Sequence, residues 1–192
     1  MSILAAFVVP HPPLILPEIG KGEEQKIQLT VNAYERAMKE AAEQKPDTVI
    51  IASPHTVMYA DYFHIAPGEE AEGSFAQFGA EEVTVAARYD TVLAKEIEME
   101  AGDIGIEAGP VGGRNAALDH AVMIPLHFLY AHTRDVRVVR LGISGLSPLD
   151  HYNFGKCVAR AVDTLGRRAV FIASGDLSHK LTPEGPYGFA PE

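Results

Sequence analysis

Three short apolar runs in this chain each end on a histidine, and that pattern restricts the folds open to it. They are Ile3-Leu4-Ala5-Ala6-Phe7-Val8-Val9-Pro10-His11, Thr48-Val49-Ile50-Ile51-Ala52-Ser53-Pro54-His55 and Arg168-Ala169-Val170-Phe171-Ile172-Ala173-Ser174-Gly175-Asp176-Leu177-Ser178-His179. Each apolar half is β-prone and too short for a helix, as in strands buried on both faces of a sheet. A fourth run, Val136 to Ile143, ends at Ser144-Gly145 without a histidine. Helical patterns separate these runs. Ile27, Val31, Tyr34, Met38 and Ala41 form one stripe, and Phe154, Val158, Ala161, Val162 and Leu165 another. Alternating strand and helix predicts an α/β fold, a three-layer α/β/α sandwich with a mostly parallel central sheet. Ligands of such sheets bind outside the carboxyl ends of the strands, so the histidines are predicted to build one site.

Smaller signals fill in the rest. Residues 62–67 and 82–88 read as strands with one wet face, with a loop expected from Gly68 to Gly79 between them. Asp90 reads as the cap of a helix reaching Ala101 and stopping at Gly102. Ser147-Pro148-Leu149-Asp150 carries the signature of a capped helix start. Leu118 to Tyr130 is apolar around His120 and His127, with Pro125 expected to kink or begin any helix there. His120, at the loop-to-helix junction beside Asp119, is the better site candidate of the two. His64 lies in an alternating strand and reads as structural.

Composition narrows the partners. The 192 residues suit one domain, and the net charge of −10, without a Lys/Arg cluster, argues against nucleic acid or an anionic membrane as partner. Cys157 is the single cysteine, which leaves neither a disulfide framework nor a cysteine-rich zinc site. The apolar start is broken by Pro10, Pro12 and Pro13 and reads as strand and loop rather than as a signal peptide. A cytoplasmic protein is the expectation, with a homo-oligomer left open. Gly109-Pro110-Val111-Gly112-Gly113-Arg114-Asn115 matches neither glycine-rich nucleotide motif and reads as a flexible loop.

Imidazole is the commonest side-chain ligand of first-row metals. Two histidines and a carboxylate suit non-haem Fe(II), whereas three histidines with an open position suit catalytic zinc. Spacing alone leaves both open, together with a zinc hydrolase built on His11 and His55. Taken together, Pro10-His11-Pro12-Pro13, Ala52-Ser53-Pro54-His55, Leu118-Asp119-His120 and Ser174-Gly175-Asp176-Leu177-Ser178-His179 resemble the motifs of the class III extradiol ring-cleavage dioxygenases. The resemblance is to the LigB-type catalytic subunit and its Memo-like relatives, over nearly the whole chain.

The resemblance implies that His11 and His55 bind Fe(II), with zinc as the other metal to consider. His179 matches the catalytic acid/base, and His120 a catalytic pocket histidine that contacts substrate or O2. A small aromatic diol and O2 are the implied partners, and opening of the catecholic ring the implied reaction, with His179 accepting a phenolic proton. Tyr59 and Tyr62 are open to either pocket lining or packing. The family's carboxylate ligand lies beyond the Ser-His motif, so residues 1–192 are expected to form a single LigB-like domain lacking its C-terminal portion. Glu192 and Asp61 are the stand-ins considered, and no motif supports either. A Memo-like metal-binding interaction protein without dioxygenase activity is the alternative.

Overall fold

The computed structural model describes residues 3–111, 117–176, 178–180, 183–185 and 187–190. In chain order the strands are β1 (Ile3–Val9), β2 (Thr48–Ser53), β3 (Phe63–His64), β4 (Glu70–Phe75), β5 (Ala80–Arg88), β6 (Ala108–Gly109), β7 (Arg137–Gly142) and β8 (Ala169–Ser174). The helices are α1 (Pro17–Gly20), α2 (Gln28–Glu43), α3 (Thr91–Gly102), α4 (His120–Tyr130) and α5 (Pro148–Thr164).

Four strands form the central sheet in the order β1-β8-β2-β7, and every pairing in it is parallel. Period-two alternation explains why both faces are covered. Val49 and Ile51 of β2 pack on one side, with Tyr34 and Met38 of α2 and with Val122 and Leu126 of α4. Ile50 packs on the other, with Leu93 and Ile97 of α3 and Phe154 and Val158 of α5. Side chains such as Ile50 and Ile51 are fully buried, which stabilises the fold by about 1.5–3 kcal/mol apiece. The three predicted layers are present.

The region between residues 68 and 79 departs from expectation. It holds β4, paired antiparallel with β5 and closed by a 3-10 turn, Ala76–Phe78, with Gly79 at φ 78°. β4 buries Ala71, Gly73 and Phe75 and exposes Glu70 and Glu72, so alternation is present although Gly and Glu weaken strand propensity. Pairing with β5 and burial against the core override that propensity. Gly102 also differs, being the last residue of α3, while the left-handed turn comes at Gly105 with φ 73°. Pro125 lies inside α4, which runs through it. The turn from Gly112 to Asn115 falls outside the described residues. No helix among the described residues is long and apolar enough to cross a membrane.

Candidate metal centre

All four central strands run the same way, so the segments after β1, β2 and β8 leave the sheet at one edge. His11 follows β1 on a stiff Pro10–Pro13 stretch and is 1% exposed. His55 follows Pro54 at the end of β2. His120 is the first residue of α4, placed there because Asp119 caps the helix by accepting from the Val122 N–H.

Their rings converge. The Nε2 atoms of His11 and His55 are 3.1 Å apart. Ring centroids lie 4.3 Å apart for His55 and His120, and 5.2 Å for His11 and His120. One ligand atom from each of the three falls within 4.8 Å of the others. Donors at ordinary metal–nitrogen distance on adjacent coordination positions stand roughly 3.0–3.4 Å apart, so the His11–His55 pair suits a single ion.

Sequence reading missed a carboxylate. Asp176 sits three residues before His179, inside a motif already singled out, and one of its oxygens lies 3.2 Å from His11 Nε2. The other is 3.1 Å from His179 Nε2 and 4.0 Å from His55 Nε2. The signal was a strand-end Asp in the same turn as a candidate histidine. What hid it is that its partner His11 is 165 residues away in the chain. Glu192 lies outside the described residues, as does Leu177. No described contact joins Asp61 to the cluster.

A second layer holds these groups. Ser174 Oγ lies 3.0 Å from His11 Nδ1. The tautomer assigned from that partner has Nδ1–H donating, which turns the Nε2 lone pair toward the cluster. Ser53 donates to Asp119 Oδ1 at 2.8 Å and accepts from the His55 backbone N–H at 3.1 Å, linking the end of β2 to the start of α4. Asp119 Oδ2 is buried with no hydrogen-bond partner among the described residues. A buried carboxylate oxygen left unpaired beside imidazoles is what a nearby cation would offset. Burial pushes the His11 and His120 pKa values down. For His11 the Asp176 carboxylate opposes this, while for His120 the neighbouring His55 and His11 add to it. Neutral imidazoles are the form that coordinates.

His179 stands apart from the three rings. Its side chain is 55% exposed and, among the described residues, is linked to them through Asp176, with Tyr187 at 5.2 Å between ring centroids. Tyr59 and Tyr62 are engaged in packing. Tyr59 donates to Val111 O and Tyr62 Oη accepts from Val111 N, each at 3.3 Å. His64 is fully buried in β3, as a structural residue would be. A cavity of about 480 Å³ opens beside the cluster, lined by His55, Asp119 and His120 on one wall and Ser74, Ala76 and Gln77 on the other.

Comparison with known proteins shows the family. The family described as "Catalytic LigB subunit of aromatic ring-opening dioxygenase" matches residues 5–191. Protein CA_C1420 of Clostridium acetobutylicum is 37% identical over 198 residues, covering 100% of this chain and 42% of its own length. The 2-aminophenol 1,6-dioxygenase beta subunit of a Pseudomonas species is 26% identical, covering 96% of this chain and 65% of its own length. The 2,3-dihydroxyphenylpropionate/2,3-dihydroxicinnamic acid 1,2-dioxygenase of Klebsiella pneumoniae is 27% identical, covering 75% and 47% respectively. This chain thus spans less than two thirds of the length of each. With the family matched along almost all of its residues, the chain belongs to the LigB family.

Proposed function

We propose that this protein is an Fe(II)-dependent extradiol dioxygenase-like enzyme that opens a catecholic aromatic ring with O2. The observation that carries the reading is the meeting of His11 Nε2 with His55 Nε2 at 3.1 Å and with an Asp176 oxygen at 3.2 Å. Two imidazoles and one carboxylate form the donor set suited to non-haem Fe(II) with open positions. Iron(II) held there would supply binding positions for the diol and O2 and a path for electrons from the ring, which is what is oxidised, to O2. Two relatives named as dioxygenases of ring compounds lend the reading support.

The chain's own residues supply the rest. Ser174 orients His11, and Ser53 with Asp119 sets His55 against His120. His179 Nε2 receives a phenolic proton, and the Asp176 oxygen at 3.1 Å stabilises the imidazolium that results. His120, kept neutral by burial, faces the cavity where it can donate to a substrate oxygen.

The test is anaerobic loading with Fe(II), followed by a catechol panel and O2. A yellow ring-fission product is the expected outcome. Metal binding without turnover across the panel would overturn the reading and favour a metal-binding accessory protein. Zinc retained on isolation, with ester or amide cleavage, would favour a hydrolase.

A further inference from the structure

The cavity beside the histidines has a second wall that the proposed chemistry leaves unused. It is the tip of the β4–β5 hairpin, where Ser74, Ala76 and Gln77 line the same opening as His55 and His120. Phe78, in the same 3-10 turn, packs edge-on against His120 with ring centroids 5.2 Å apart. The hairpin is anchored rigidly for this task. Phe75 is fully buried, and Gly73 packs so closely on Leu118 and Met123 that no side chain fits there. Gln77 is exposed, carries both a hydrogen-bond donor and an acceptor, and makes no hydrogen bond described in the structure. The Ser74 hydroxyl accepts from the Ala76 N–H at 3.4 Å, which leaves its proton free to donate outward.

Charge on the facing wall sets the kind of substrate this tip can select. Asp119 lines the cavity, and Asp176 sits 3.2 Å from His11 at the cluster. A diol bound there brings negative charge at its phenolic oxygens, and a further carboxylate on its ring would meet Asp119 and, among the described residues lining the cavity, no lysine or arginine. A neutral group able to hydrogen-bond, such as a hydroxyl, amine or amide, would instead find the Gln77 carboxamide and the Ser74 hydroxyl.

We infer that the hairpin tip determines specificity, with Gln77 and Ser74 selecting aromatic diols or aminophenols whose ring bears an uncharged hydrogen-bonding substituent over those that bear a carboxylate. The inference rests on the ring-opening reading of the site, and binding measurements separate the two.

The experiment titrates the Fe(II)-loaded protein anaerobically by calorimetry with four probes: 3,4-dihydroxybenzamide, 4-amino-3-hydroxybenzamide, 3,4-dihydroxybenzoate and 2,3-dihydroxyphenylpropionate. Turnover with O2 is then measured for the same four. The two uncharged probes are expected to bind at least about tenfold more tightly than the two carboxylates. Gln77→Arg should move that ratio at least about tenfold toward the carboxylates, with metal content verifying an intact site. Discrimination in binding without turnover would sink the dioxygenase reading and leave the selectivity standing. Equal affinity, a preference for the carboxylates, or a ratio indifferent to Gln77→Arg would overturn the selectivity. Failure of all four probes to bind would overturn both.

Discussion

At the scale of single residues, the proposed function divides the site into groups that would hold the ion, groups that would orient them and one that would move a proton. His11→Ala and His55→Ala should each abolish stoichiometric iron binding, read by metal analysis after desalting, since each removes a converging donor. Ser174→Ala should weaken metal affinity by roughly 10- to 100-fold without abolishing it, because only the orientation of His11 is lost. His179→Ala should retain metal and lose about 10²–10⁴ in kcat. If it lost the metal instead, the role given to His179 would be wrong. His11 and His55 were legible because strand propensity marks where each strand stops, and His120 because it lies at a loop-to-helix junction beside Asp119. Asp176 was not, because its significance lies in which of its oxygens faces which ring.

At the scale of elements, the helix caps were the most legible features and the hairpin the least. Ser147 and Asp150 form the reciprocal cap that their spacing predicts, and Asp90 accepts from the Leu93 N–H as expected. Caps are local, so sequence carries them. β4 is held by its partner strand and by burial of alternate residues, which sequence displays only faintly through Ala71, Gly73 and Phe75. Gly73→Ala should be costly for that reason. A methyl there would meet the Leu118 carbonyl oxygen and lie 2.7 Å from Met123 Sδ. The expected loss is about 1–3 kcal/mol in urea unfolding. Because Leu118 leads directly into Asp119 and His120, the metal affinity of any folded variant should fall as well.

At the scale of the whole molecule, three histidines have pKa values held down chiefly by burial: His11, His64 and His120. His64 is enclosed beside Arg140, whose charge adds to the effect, and neither of its ring nitrogens has a hydrogen-bond partner among the described residues. A base with a lowered folded-state pKa takes up protons more readily when unfolded. Stability is therefore full above the unfolded value of 6.5 and declines as pH falls through it toward the lowered folded values. Metal-free protein should show a urea midpoint that drops between pH 7.5 and 5.5. His64→Phe should flatten that slope if the ring is accommodated, and a slope unchanged by it would assign the effect to the other two.

The parallel sheet has one further consequence. The two imidazoles and the carboxylate come from positions 11, 55 and 176, stretches of chain that only the folded state brings together. An ion clasped by them would act as a rivet through the tertiary structure and bind the unfolded polypeptide far less well. At a hundredfold excess over its Kd it would raise the unfolding free energy by about 2.7 kcal/mol. The melting temperature, recorded against a series of divalent ions, would thus rank the ions that this edge of the sheet holds, before any substrate is known.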